Sequence, residues 1–158
     1  MKTTLILVGK TNDVHISALC DEYVSRLSHY NLGFSITVIP DLKNTKNMSV
    51  SQQKISECGS ILKQIQPGDY VVLLDEHGKE LDSITFSKWI NTKMNTVSKR
   101  LVFVIGGPYG FSEEMYARAN EKLSLSKMTF SHQMFRLIFI EQVYRAMTIL
   151  KGEPYHHE

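Results

Sequence analysis

The sequence has little of what marks a secreted, membrane-spanning or metal-held protein. It has two cysteines in 158 residues, Cys20 and Cys58, and they form no CxxC pair. Both fall in stretches with helical spacing and read as reduced thiols of a cytosolic protein, not as a disulfide framework. No apolar run approaches the ~18–20 residues of a membrane-spanning helix. The opening MKTTLILVGK has one short apolar stretch and no small-residue cleavage site behind it. It is expected to be a first strand and not a signal peptide. Charge of one sign is scarce too: 18 Lys+Arg against 16 Asp+Glu give a formal net charge of +2. Binding RNA through bulk electrostatics takes a larger excess. An RNA partner must then be met by a local patch, by a patch doubled in a dimer, or by shape. Two nucleotide fingerprints, GxGxxG and GxxxxGK[ST], are absent, which argues against a dinucleotide cradle and a P-loop.

What is present is an ordinary globular composition, 42% apolar and 22% charged, in a length that suits one domain. Strand-like and helix-like stretches alternate. Strands are expected at 4–9, 34–39, 70–74, 101–105 and 123–126. Helices are expected at 13–29, 49–66, 83–98, 112–122 and 131–150. A polar loop, DLKNTKNM, follows Pro40. Ser83 and Ser112 are the expected caps of the third and fourth helices, and Glu113 and Glu114 suit the positive end of the latter. The alternation predicts an α/β fold with a mostly parallel sheet and helices on both faces. The uninterrupted apolar strands 70–74 and 101–105 fit burial on both sides.

In such sheets ligands bind beyond the carboxyl ends of the strands. Three of those ends are suggestive: LLDEHGKE at 73–80, IGGPYG at 105–110 and LSKMTFSH at 125–132. Gly106 and Gly107 let backbone approach a ligand with no Cβ between, Pro108 stiffens the turn, and Gly110 can take a positive φ. Taken alone, GGPYG is equally a tight turn with no ligand. The last helix is apolar almost all round, which predicts a partner subunit and an isologous dimer through it. Among its few polar residues, His132 and Arg136 share a face. Glu141 and Arg145 stand in ion-pair order, and a structural salt bridge is the plainer reading of them. Arg136 has apolar neighbours and no acid three or four residues away, a setting in which arginine often binds phosphate or carboxylate. The tail KGEPYHHE ends in two adjacent histidines, a poor ligand pair for one metal ion, and no metal is expected.

Together, LDEHGKE, IGGPYG, LSLSKMTFSHQMFR, IEQVYRA and the terminal PYHHE, in this order and spacing, resemble a family. It is the small stand-alone SPOUT-class methyltransferases that act on a pseudouridine of large-subunit ribosomal RNA. The resemblance covers the whole chain. It implies a C-terminal trefoil knot, which general topology would argue against. It also implies a cytoplasmic homodimer and S-adenosyl-L-methionine bound bent in a pocket of the knotted loops. The reaction it implies is methylation of the pseudouridine N3 on assembled ribosomes. By motif the cofactor positions carry over to Leu74, Gly106, Leu125, Ser126, Lys127, Met128, Thr129 and Phe130. For the reaction, His132, Glu141 and a tail histidine are the candidate bases. Arg136 and Arg145 are expected to hold RNA phosphate or base carbonyls, and Tyr155 and His156 to stack on or bond to the target base. The tail of one subunit could complete the site of the other. One departure is visible: the family's usual proline before the histidine of the last loop is Ser131 here, which could cap the helix instead. A SPOUT methyltransferase of tRNA and a ribosome-associated binding protein without turnover remain as alternatives.

Overall fold

The computed structural model describes residues 1–157. Its elements run β1 (Lys2–Val8), α1 (Val14–Leu27), β2 (Phe34–Ile39), α2 (Val50–Leu62), β3 (Tyr70–Glu80), α3 (Ser83–Thr96), β4 (Arg100–Ile105), α4 (Glu113–Arg118), β5 (Glu121–Ser124) and α5 (His132–Leu150). A short 3-10 turn at Thr45–Asn47 interrupts the polar loop before α2.

All five strands are parallel, in the order β2-β1-β4-β3-β5. Leu5 pairs with Ile36 on one side and Phe103 on the other, and Phe103 pairs with Val72. Side chains alternate across the sheet and build two cores. Leu5, Leu7, Val72, Leu74, Leu101 and Phe103 face α1, α3 and α5. Ile6, Val8, Val71, Leu73, Val102 and Val104 face α2 and α4. The central strands are thus buried on both sides, as their continuous apolar runs require.

Local chemistry sets the helix starts. Asp13 accepts from the His15 and Ile16 amides. Ser49 and Gln52 form a reciprocal capping box, the arrangement that satisfies two orphan donors at once. Ser112 caps α4 through the Met115 amide, with Glu113 and Glu114 in the first turn. Ser131 caps α5 through the Met134 amide. For α3 the cap is Asp82, bonded to the Thr85 amide at 2.7 Å, and not Ser83. Ser83 is the first helical residue, and its hydroxyl donates to Gln142 on α5.

Two boundaries differ from the sequence expectation for a tertiary reason. Strand β3 continues past Leu74 to Glu80: Leu74 and Lys79 both pair with Leu123, and 75–78 bulge out between them. Gly78 permits this, since a Cβ there would lie 2.6 Å from the Leu123 backbone. Helix α4 stops at Arg118 and β5 begins at Glu121. Asn120 exchanges two 2.8 Å bonds with Val71, from its side chain and its backbone, and this draws the chain into the sheet early. After α5, Gly152 takes a left-handed φ of +67° and turns the tail back on the helix.

Replacing Ser131 with Ala should lower stability by about 1 kcal/mol, while Ser131→Asp should stay near the parent, as measured by urea unfolding.

Candidate functional site

Because the strands are parallel, their carboxyl ends share one edge, where three loops meet. The first is the bulge after Leu74. The second is the turn after β4, closed by a Gly110 amide to Gly107 carbonyl bond at 3.2 Å. Pro108 sits at its second position, where a fixed φ is favourable, and Gly110 takes φ +80° as expected. The third is the loop into α5. In it the Ser126 hydroxyl accepts from the Met128 amide at 2.9 Å, and the Ser124 hydroxyl donates to the Ser126 carbonyl at 3.1 Å. Gln133 ties this loop to the end of β1, its side-chain oxygen accepting from the Asn12 amide at 2.7 Å.

Three hollows open among these loops. One of about 520 Å³ is walled by Leu74, the Gly106–Gly110 turn, Tyr116, Phe130 and His132. A smaller one of about 150 Å³ lies under 125–130 and shares Leu74, Phe130 and Phe135 with the first. A third of about 330 Å³ runs from Leu74 and Leu125 along α3 and α5 to His156. The eight residues singled out for a cofactor thus converge: Leu74 borders all three hollows, Gly106 the first, and Leu125, Ser126, Lys127, Met128, Thr129 and Phe130 the second. Gly106 is packed edge-on against Phe111, whose ring would lie 2.9 Å from a Cβ at that position. At the rim the Tyr116 hydroxyl donates to Asp75 and bridges α4 to the bulge. Burial, and then this bond, push the Tyr116 phenol up to about 12.

The residues singled out for chemistry divide into three groups. His132 opens α5 beside the 520 Å³ hollow. The protein behind it and then Arg136 lower its pKa, against a smaller opposing effect of Asp41. The lowering favours its uncharged imidazole. Arg136 lies one turn on and points inward. It is 1% exposed, and its guanidinium donates to the carbonyls of Val8 at 2.5 Å and Gly9 at 2.9 Å and to the Thr11 hydroxyl at 3.1 Å. The phosphate-binding expectation for Arg136 does not fit this placement. The side chain instead closes the carboxyl end of β1, where the chain leaves the sheet and its carbonyls lose strand partners.

The third group lies further along α5: at 1.5 Å per residue Glu141 is about 14 Å and Arg145 about 20 Å from His132. Glu141 receives Arg145 at 2.7 Å and the Tyr155 hydroxyl at 2.9 Å. Arg145 Nη1 lies 3.0 Å from His156 Nδ1 and its guanidinium stacks over Tyr155. Burial, then bonds to Tyr23 and Glu141, raise the Tyr155 phenol well above its usual value. The ion pair is therefore the clasp that docks the tail. Glu141, Arg145, Tyr155 and His156 come together outside the lining of the 520 Å³ hollow, although His156 borders the 330 Å³ hollow that reaches Leu74 and Leu125. Among the described residues no group of three or more His, Cys, Asp or Glu side chains could hold a metal ion, and no helix is long and apolar enough to cross a membrane.

Sequence reasoning missed Asp75, Tyr116 and Glu57. Glu57 carried a visible signal: on α2 it stands beside Cys58 and one turn before Ile61, both buried, a carboxylate on an apolar face.

Comparison with known proteins matches residues 1–156 to the family model described as "Predicted SPOUT methyltransferase". A Bacteroides thetaiotaomicron protein named "Ribosomal RNA large subunit methyltransferase H" is 61% identical over 158 residues, the whole of both chains. Proteins of the same name from Christiangramia forsetii and Flavobacterium johnsoniae are 58% and 54% identical, covering 99% and 100% of each chain. Among solved structures, a probable methylase family protein from Haemophilus influenzae superposes with a TM-score of 0.55 at 9% identity. The match covers 95% of this chain and 66% of that one, and it bears on the fold alone.

The inward placement of Arg136 predicts that Arg136→Met costs about 2–4 kcal/mol in urea unfolding, because two buried carbonyls lose their donor. Unchanged stability with lost ribosome binding would instead restore the RNA role. For His132 the expected NMR titration midpoint lies below the usual 6.5. The folded state then binds fewer protons than the unfolded one between the two pKa values. Its stabilising contribution is complete above the unfolded value and is lost as pH falls through the folded one. A midpoint above 6.5 would contradict the placement.

Proposed function

This chain belongs to the SPOUT methyltransferase family, and on that premise we propose that it methylates large-subunit ribosomal RNA with S-adenosylmethionine. The target is N3 of a pseudouridine on the assembled ribosome. The observation that carries the reading is end-to-end similarity to relatives named for large-subunit rRNA methylation. A trefoil-knotted C-terminal part and a cytoplasmic location belong to the same reading.

The slot fits the cofactor. Its volume of about 520 Å³ suits a ligand of that size. Gly106 and Gly107 leave backbone bare for polar contacts to adenine and ribose, and Leu74 and Ile105 offer apolar walls. The bound cofactor supplies an activated methyl group on a sulfonium, a good leaving group. The chain's task is then alignment and exclusion of water. Leu74, Gly106 and the run from Leu125 to Phe130 would hold the donor. Methylation at N3 would also require the N3 proton to leave. Of the candidate bases, His132 is the one that lines the slot, and it would take that proton.

A homodimer through α5 belongs to the same reading, since none of Glu141, Arg145, Tyr155 and His156 lines the 520 Å³ slot of its own subunit. Val14 and Leu19 on α1 and Met134 and Leu150 on α5 are exposed apolar side chains that a partner would cover. Two-fold pairing of α5 would set one subunit's Arg145, Tyr155 and His156 beside the other's slot, where they would grip the target nucleotide.

With labelled S-adenosylmethionine, label should reach pseudouridine in intact unmodified ribosomes and stay off free rRNA and bulk tRNA. Label on tRNA would move the substrate. Cofactor binding with no transfer to any of the three would make the protein a binding module. His156→Ala should lower kcat on ribosomes about tenfold or more while leaving the Kd for S-adenosylmethionine within about twofold, since it removes a contact to the target and none to the donor. Gly106→Val, whose side chain would drive into the Phe111 ring of the slot wall, should do the reverse and abolish binding of S-adenosylmethionine in calorimetry. A folded Gly106→Val variant with parental affinity would place the cofactor elsewhere.

A further inference from the structure

We propose that Glu57 is a positioning residue for the cofactor slot, holding the Gly106–Gly107 backbone in place from beneath through the Gly107 amide. The proposal rests on the cofactor reading above and extends it to a residue outside the slot lining. Glu57 is 8% exposed on α2, and its Oε1 accepts from the Gly107 N–H at 2.9 Å. Its two carboxylate oxygens occupy the space a side chain at 107 would need, each 2.4 Å from an ideal Cβ. Residue 107 is therefore glycine because of what lies below the turn, whereas Gly106 is small because of Phe111. The next residue holds the other end of the same loop: Cys58 Sγ accepts from the Ser112 amide at 3.3 Å. Two consecutive residues of α2 thus pin the loop at 107 and at 112 from one rigid element.

The energetics favour a positional role over a stabilising one. Glu57 makes no salt bridge among the described residues, and a buried carboxylate without a cation is costly. Burial raises its pKa, the Gly107 bond opposes that rise, and Asp41 adds to it. An apolar residue would pack there at lower cost but could not accept from Gly107. What Glu57 contributes is a fixed address for one amide, and with it the shape of the slot's glycine wall.

The test uses the full-length protein as parent, Glu57→Ala, Glu57→Gln, Gly107→Ala and the Glu57→Ala/Gly107→Ala double variant. Each is measured for S-adenosylmethionine Kd by calorimetry, for KM and kcat on unmodified ribosomes, and for thermal unfolding without cofactor. Glu57→Ala should raise Kd and KM for the cofactor about tenfold, the scale of one lost charged hydrogen bond, with kcat at saturation within about twofold. Glu57→Gln should stay close to the parent, because its amide oxygen accepts from the same N–H. Gly107→Ala should melt lower, and adding Glu57→Ala should return part of that loss, a non-additive cycle. Parental Kd in a folded Glu57→Ala, or equal damage from Gln and Ala, overturns the positioning role. An additive thermal cycle overturns it as well. If the parent itself binds no S-adenosylmethionine, the cofactor reading falls, and the thermal cycle alone still decides whether Glu57 sets residue 107.

Discussion

Everything at the candidate site depends on one constraint: all five strands run the same way. Parallel pairing leaves every carboxyl end on one edge, so the loops after β3, β4 and β5 are neighbours before any side chain is chosen. That edge must also let backbones come unusually close. Gly78 accommodates the backbone of Leu123, Gly106 lies edge-on to Phe111, and Gly107 sits over the Glu57 carboxylate. The glycines of the turn after β4 are thus answered from within the protein as well as from the ligand side. A slot with glycine walls is the space left when three loops are packed this closely.

Helix α5 organises the rest. Its first turn carries His132 at the slot, and its second turn sends Arg136 into the end of β1. Its last turns carry the clasp of Glu141 and Arg145 that holds Tyr155 and His156. A helix with polar residues this few uses each for a separate purpose, and the distance between its ends keeps those purposes apart in one subunit. In a single chain the tail set lines none of the 520 Å³ slot, and His156 reaches it only through the neighbouring hollow that shares Leu74. The proposed dimer would bring a second tail to that slot.

Much of the fold was legible in the sequence, because it rests on local signals. The continuous apolar runs at 70–74 and 101–105 marked the buried strands. Ser112 and Ser131 were recognisable as caps, Gly110 as a positive-φ position, and three strand ends as the meeting place. What was not legible depends on partners remote in the chain. Strand β3 is lengthened by its pairing with Leu123, and α4 is cut short by Asn120 bonding to Val71. Arg136 was read as a ligand for phosphate because its local neighbours are apolar. Its actual acceptors lie 127 and 128 residues away, beyond any periodicity argument. Glu57 was half legible: its place on the apolar face of α2 could be read, but its partner 50 residues on could not.

The most direct test of a site shared between two subunits is complementation between two disabled variants. One carries Gly106→Val, with an intact tail, and the other His156→Ala, with an intact slot. After co-refolding in equal amounts, methyl transfer to unmodified ribosomes is compared with each variant alone. If the tail serves the partner's slot, random pairing puts one working site in half of the dimers, and activity rises to about a quarter of the parent's. If the tail serves its own slot, no mixed dimer contains a complete site. The mixture would then be no more active than the average of its components, and the shared-site account would be wrong.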